Sequence, residues 1–260
     1  VYLGFDLNFE EDLKYVIQQF KTEGITDLIL DLRFNNGGSV ELARYLAASI
    51  AGTSHRSDVF MRMQRNSGAD EYIRFGDGDD LNLKSVRIIC SEETASASEL
   101  IISGLRGIDF PVKLFGSRTE GKNVGMEVQE YKYGNKYYEF APITFRSFNA
   151  KDWGDYADGI DPDVMLNNQN SSYEDDIDNV FPYAFGDWDN FDFNYPLYWA
   201  LCDVQGVDPT TGEPVKRSGR AGLTRSSKDE IIRVPSVPLK RPAGTFGSLI
   251  YNKPEVENLY

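Results

Sequence analysis

Ser96 and Lys122 are the side chains whose types and settings best suit them to chemistry, and each also has an ordinary reading. Ser96 heads "SASELIISGLRG", a helical stretch that comes after the apolar run "VRIIC". With Glu99 it makes a capping box, the serine at N-cap and the glutamate at N3. The same position suits a nucleophile, because a helix N-terminus offers backbone N–H groups and positive partial charge to a developing oxyanion. A serine nucleophile needs a base. His55, the only histidine, lies in the polar connection "AGTSHRSD", where a solvated loop residue is the plainer reading. Lysine can replace histidine when burial lowers its pKa, since desolvation disfavours the charged form. Lys122 sits between Gly121 and Asn123 with an apolar strand-like run on either side, although most single lysines are solvated surface residues.

The lysine raises a second question. "GSRTEGKN" (116–123) reads G-x-x-x-x-G-K, but Asn123 stands where a phosphate loop needs a Mg²⁺-binding hydroxyl. Such a loop also leads into a helix whose N-terminus faces the phosphates. The residues after Lys122, "NVGMEVQEYKYG", alternate like a strand. The sequence therefore argues against nucleotide binding.

The elements that would position these residues can be read from periodicity. Asn8 before "FEED" predicts a helix cap, with Leu13, Val16, Ile17 and Phe20 as the apolar stripe and Gly24 as the stop. "TDLILDLR" (26–33) predicts a buried parallel strand, "FNNGG" a turn, and Ala43, Leu46, Ala47 and Ile50 the next helix. "SDVFMRM", "EYIRFG", "VRIIC" and "FPVKLFG" read as strands, and the segment 123–145 as strands with a Gly134-Asn135 turn. The order predicts an α/β core with a mostly parallel sheet and an antiparallel addition.

Composition narrows the function. A net charge of −14 over 260 residues argues against nucleic acid, whose phosphates require a basic surface. No apolar run approaches the ~18 residues of a membrane span. Cys90 and Cys202 are too few for a disulfide scaffold, and Cys90 reads as a buried inert thiol. The acidic aromatic run 173–194 lacks the glycine and terminal glutamate of an EF-hand loop, so a solvated loop is preferred to a calcium site. "NSS" (170–172) fits a glycosylation sequon, a pattern common by chance. The stretch 216–241 carries eight Lys/Arg against two acids and reads as a tail lying on its own acidic body. Val1 in place of an initiator Met predicts an upstream segment.

Four segments occur in order: "DLILDLRFNNGG", "ETASASELI", "GSRTEGKNVG" and "DGIDPDV". Together they resemble the S41 family, the C-terminal-processing (tail-specific) serine proteases. The resemblance implies a ClpP/crotonase-like core over 1–204, with 205–260 an irregular C-terminal extension. It implies Ser96 as nucleophile and Lys122, 26 residues on, as general base. Ala97 N–H and a backbone N–H from Gly37 or Gly38 would make the oxyanion hole. No metal or other cofactor is implied. The implied partner is a peptide or unfolded protein substrate, and the place extracytoplasmic (periplasm or cell envelope of a bacterium). The family usually has a PDZ domain that captures substrate C-termini; these residues do not supply one, so it lies upstream of Val1 or is absent. Several family members carry a Gln four residues after the lysine, thought to orient it; here that position is Met126. The departure leaves room for a catalytically idle peptide-binding protein that keeps the fold.

Overall fold

The computed structural model describes residues 1–166 and 191–215. After a short 3-10 turn (Leu7–Phe9), helix α1 (Glu10–Glu23) begins with Glu10, Glu11 and Asp12 in its first turn, where the helix dipole favours acids. It ends at Gly24 in the left-handed conformation. Asn8 is not its cap: Asp6 accepts the Asn8 N–H at 2.9 Å and caps the 3-10 turn that leads into the helix. Strand β1 (Leu28–Asp31) then enters a sheet, and α2 (Val40–Ala51) comes next with Ser39 as its cap.

The next two strands leave that sheet. β2 (Val59–Arg65) and β3 (Asp70–Arg74) pair antiparallel, and β2 also pairs with β9 (Ile143–Phe148), which continues to β6 (Val124–Met126). Burial alternates along β6 and β9, as in a sheet with one face packed, while β3 at the edge is mostly exposed. β4 (Val86–Cys90) returns to the first sheet and is buried at all five positions. Helix α3 (Ala97–Gly107) links it to β5 (Val112–Gly116), and β10 (Val164–Met165) completes the parallel order β1-β4-β5-β10. β7 (Gln129–Tyr133) and β8 (Lys136–Phe140) form a separate exposed hairpin around the expected Gly134-Asn135 turn.

Helix α4 (Phe191–Gln205) packs against β1, β4 and β5. Its Asp203 receives hydrogen bonds from Arg87 of β4 and Lys113 of β5. The loop reading of 173–194 is thus corrected at its end, since 191–194 open this helix; 173–190 lie outside the described residues. So do the sequon and the basic stretch 216–241. Both cysteines are buried free thiols, and burial pushes the Cys90 thiol up to about 12. Among the described residues no helix is long and apolar enough to cross a membrane.

The register explains why dispersed motifs meet. Asp31 lies opposite Ile89, and Cys90 opposite Gly116. The three loops that carry "NNGG", "TASASE" and "GSRTEGKN" therefore leave the carboxyl ends of three adjacent parallel strands. In open α/β sheets that edge is where sites form.

Candidate active site

The serine segment is held in an unusual backbone. Ser96 has φ 53° and ψ −113°. Among the described non-glycine residues only Asn82, Asp109 and Asp152 share a positive φ, and those side chains tolerate it. A serine there is strained, and such outliers persist where the surrounding structure over-determines them. Ser96 and Glu99 do form a capping box, but not an ordinary one. The Glu99 carboxylate takes the Ser96 N–H at 2.9 Å, whereas the Ser96 hydroxyl lacks a cap hydrogen bond of normal geometry. Ser98, the other serine of "SASE", is fully buried and donates its hydroxyl to the Asn35 carbonyl at 2.9 Å. Its role is to fasten the helix head to the neighbouring loop.

Glu99 does more than cap, and this is what the sequence reading missed. One oxygen accepts from Thr119 Oγ1 (2.5 Å) and the Gly121 N–H (2.8 Å). The other accepts from Ser96 N–H and Lys122 N–H, both at 2.9 Å. A single buried carboxylate thus ties the serine's backbone to the lysine's. Burial pushes its pKa above the usual carboxylate range, against four hydrogen bonds that favour the charged form. The signal was present as an S-x-x-E pattern, which by itself describes any capped helix. We expect Glu99→Leu, near in size, to strand three buried N–H groups, each costing about 1–3 kcal/mol. Urea unfolding should show a loss larger than the 0.5–3 kcal/mol typical of single substitutions.

Lys122 is placed by the rest of its loop. Thr119 N–H donates to the Ile160 carbonyl and Ile160 N–H to Thr119 Oγ1, so the "DGID" segment braces the loop. Asn123 is buried, donates its side-chain amide to the Gly154 carbonyl at 2.6 Å, and leads into β6. A strand, not a helix, comes after the lysine, so the phosphate-loop geometry is absent. Lys122 is half-buried, and desolvation lowers its pKa from the ordinary lysine value, with Glu120 and Glu99 opposing. Met126 ends β6 opposite Ile143, a position from which it supplies no strong hydrogen bond. The Glu99 carboxylate, reaching the Lys122 main chain, holds this segment instead.

His55 is elsewhere. Its Nδ1 pairs with Asp58 at 2.7 Å, and Asp58 lines a shallow cavity with Gly107, Ile108 and Asp109 at the C-terminal end of α3. Ser96 heads the same helix, about 15 Å away at 1.5 Å per residue.

The glycine pair closes the site. An ideal Cβ on Gly37 would lie 2.9 Å from Ser96 Cβ and 3.0 Å from Ala97 N, so this turn abuts the serine. Gly37 N–H is already engaged by Asn35 Oδ1 at 2.9 Å. Gly38 N–H, by contrast, has no intramolecular partner among the described residues, and neither has Ala97 N–H at the helix head. Gly38 has φ +134°, and a Cβ there would meet the Phe5 carbonyl oxygen at 2.3 Å. A side chain at Gly38 therefore perturbs folding before it reports on chemistry. We expect Gly38→Ala to lower the thermal midpoint as well as any activity, the φ strain alone costing about 1–3 kcal/mol.

The family model described as Peptidase family S41 matches residues 2–166. The chain belongs to peptidase family S41. The S41 domain is 26% identical over 165 residues to a protein of Staphylococcus haemolyticus (strain JCSC1435) named as a CtpA-like serine protease, covering 62% of this chain and 32% of that one. A protein of the same description in Staphylococcus aureus (strain COL) is 26% identical over 181 residues, covering 68% and 35%. The chain thus spans about a third of the length of these relatives. Among solved structures, a candidate S41 protease from Bacteroides fragilis NCTC 9343 aligns with a TM-score of 0.65 at 24% identity, over 79% of this chain and 53% of that one. The photosystem II D1 C-terminal processing protease aligns at 0.50 and 21% identity, over 64% and 41%. These likenesses show the fold: a mixed α/β S41 core with, among the described residues, one parallel and two antiparallel sheets.

Proposed function

We propose that this S41 domain is a serine endopeptidase that cleaves unfolded polypeptides or protein C-terminal regions by acyl transfer with a Ser96/Lys122 dyad. The observation that carries the reading is the strained Ser96 backbone at the head of α3, tied through one buried carboxylate to the loop of a lysine whose pKa burial lowers. In the mechanism, neutral Lys122 takes the hydroxyl proton as Ser96 Oγ attacks the scissile carbonyl. The Gly38 and Ala97 N–H groups receive the oxyanion. As the tetrahedral intermediate collapses, the C–N bond breaks and Lys122 returns the proton to the leaving amine. Water then attacks the acyl-serine with Lys122 again as base, releasing the acid and restoring the hydroxyl. Extracytoplasmic action, a bacterial source and an upstream PDZ domain belong to this reading through the family resemblance alone.

A second reading is an idle peptide-binding domain, favoured by Met126 in place of an orienting glutamine. Incubating an unfolded polypeptide such as reduced casein with the chain, and sequencing its ends by mass spectrometry, separates the two. New termini support the endopeptidase. Retention of the polypeptide with no new termini favours the idle domain.

A further inference from the structure

We propose that Asn35 is a positioning residue for the oxyanion hole: its side-chain amide withdraws Gly37 N–H from the site and anchors the loop so that Gly38 N–H serves beside Ala97 N–H. The inference rests on the peptidase reading above. Asn35 is fully buried and lies where three segments meet. Its carbonyl accepts the Ala95 N–H at 3.2 Å and the Ser98 hydroxyl at 2.9 Å, which fixes it to the turn carrying Ser96 and Ala97. Its own N–H reaches back to the Leu32 carbonyl at 3.0 Å, just past the end of β1. The side chain is equally committed, with Oδ1 accepting Gly37 N–H at 2.9 Å and Nδ2 donating to the Tyr2 carbonyl at 3.0 Å.

The N-terminal segment completes the clamp. Phe5 N–H donates to the Gly37 carbonyl at 2.9 Å, and Ser39 N–H donates to the Phe5 carbonyl at 2.7 Å. These two bonds bracket Gly38, whose own N–H they leave untouched. Gly37 therefore has both its N–H and its carbonyl spent on holding the turn. Gly38 is the residue with a donor to give. An oxyanion hole depends on donors aimed before charge develops, because reorienting a dipole during the reaction costs part of what it stabilises. Asn35 touches neither substrate nor oxyanion, and acts only through Gly38 and Ala97.

Two variants alter the side-chain bonds and leave the main-chain ones. Asn35→Ala loses both. Asn35→Asp keeps an acceptor for Gly37 N–H, but its ionised carboxylate faces the Tyr2 carbonyl; once protonated, the introduced carboxyl can donate to that carbonyl as the amide did. We expect kcat to fall on the order of 10²-fold in Asn35→Ala, comparable to losing one oxyanion donor, with KM little changed. For Asn35→Asp, the ratio of its kcat to wild type should recover as pH falls, a trend that dividing by wild type frees from the titration of Lys122. Wild-type kcat in a folded Asn35→Ala, or a loss confined to KM, would overturn the proposal. Should both variants fail to fold, the wild-type protein still decides: ¹⁵N-glycine labelling with a peptide aldehyde should shift the Gly38 amide and leave Gly37 in place, and the reverse pattern overturns it. A wild type that neither cleaves peptide nor forms the aldehyde adduct removes the peptidase reading itself, and this proposal with it. An active wild type with an unimpaired Asn35→Asp removes this proposal alone.

Discussion

Ser96→Ala is expected to abolish peptide hydrolysis while Ser98→Ala retains a substantial fraction of it. The two serines stand two residues apart in "SASE", so sequence alone leaves them nearly equivalent. The structure separates them by what their hydroxyls do. Ser98 Oγ is spent on the Asn35 carbonyl inside a fully buried environment. Losing that bond costs about 0.5–1.5 kcal/mol, and the cavity left by one oxygen is small. Ser96 sits instead where its backbone is strained, and no cap bond of normal geometry claims its hydroxyl. Removing a nucleophile deletes the covalent path and leaves only what the oxyanion donors and binding achieve, so the expected loss in kcat is several orders of magnitude. The check is single-substrate kinetics on purified variants, with mass spectrometry of a fluorophosphonate adduct to locate the label. An adduct on Ser98, or undiminished turnover in Ser96→Ala, would overturn the assignment.

Much of this was legible because the two periodicities are clean. The apolar runs at 28–31 and 86–90 announced buried parallel strands, and both are neighbours in the sheet. The capping pattern at Ser96 gave the start of α3. What stayed hidden was long-range. Nothing local says that β2 and β3 quit the parallel sheet to join β6 and β9, since a strand's partner depends on which face remains unburied after the core forms. Helix α4 was obscured by its own opening, "FDFNYP", in which aromatic residues, an aspartate, an asparagine and a proline read as a loop. At the site, the glycine pair was found but its two N–H groups could not be told apart. That choice is made by Asn35 Oδ1, and a side-chain acceptor two residues away is indistinguishable from any turn asparagine until the loop is built. Glu99 was likewise visible as a cap, while its reach across to the lysine loop, 22 and 23 residues on, was not.

Lys122→Arg should be inactive as a protease at every pH, although it keeps the positive charge that a phosphate clamp would use. A guanidinium with a pKa above ~12 has no lone pair to offer, so it cannot take the serine proton. Wild-type activity should instead rise with pH. Desolvation sets the folded-state pKa of Lys122 below the ordinary 10.5, so the neutral base appears as pH climbs through that lowered value. The same shift sets the sign for stability. Between the lowered folded pKa and 10.5 the unfolded chain binds more protons at this residue than the folded one, so its contribution to stability increases with pH. Below the folded value the ammonium is held half-buried and the penalty is complete. Lys122→Met, which has no group to titrate, should flatten that part of the pH–stability curve while being as inactive as the arginine. His55→Ala should leave hydrolysis nearly intact, since its imidazole pairs with Asp58 at the far end of α3. The measurements are kcat/KM against pH on one peptide, with urea unfolding at matched pH values. An active Lys122→Arg, or activity that disappears with His55, would remove the lysine from its role, whereas an alkaline-rising limb present in wild type and His55→Ala and absent from both lysine variants is the pattern that only a half-buried lysine base produces.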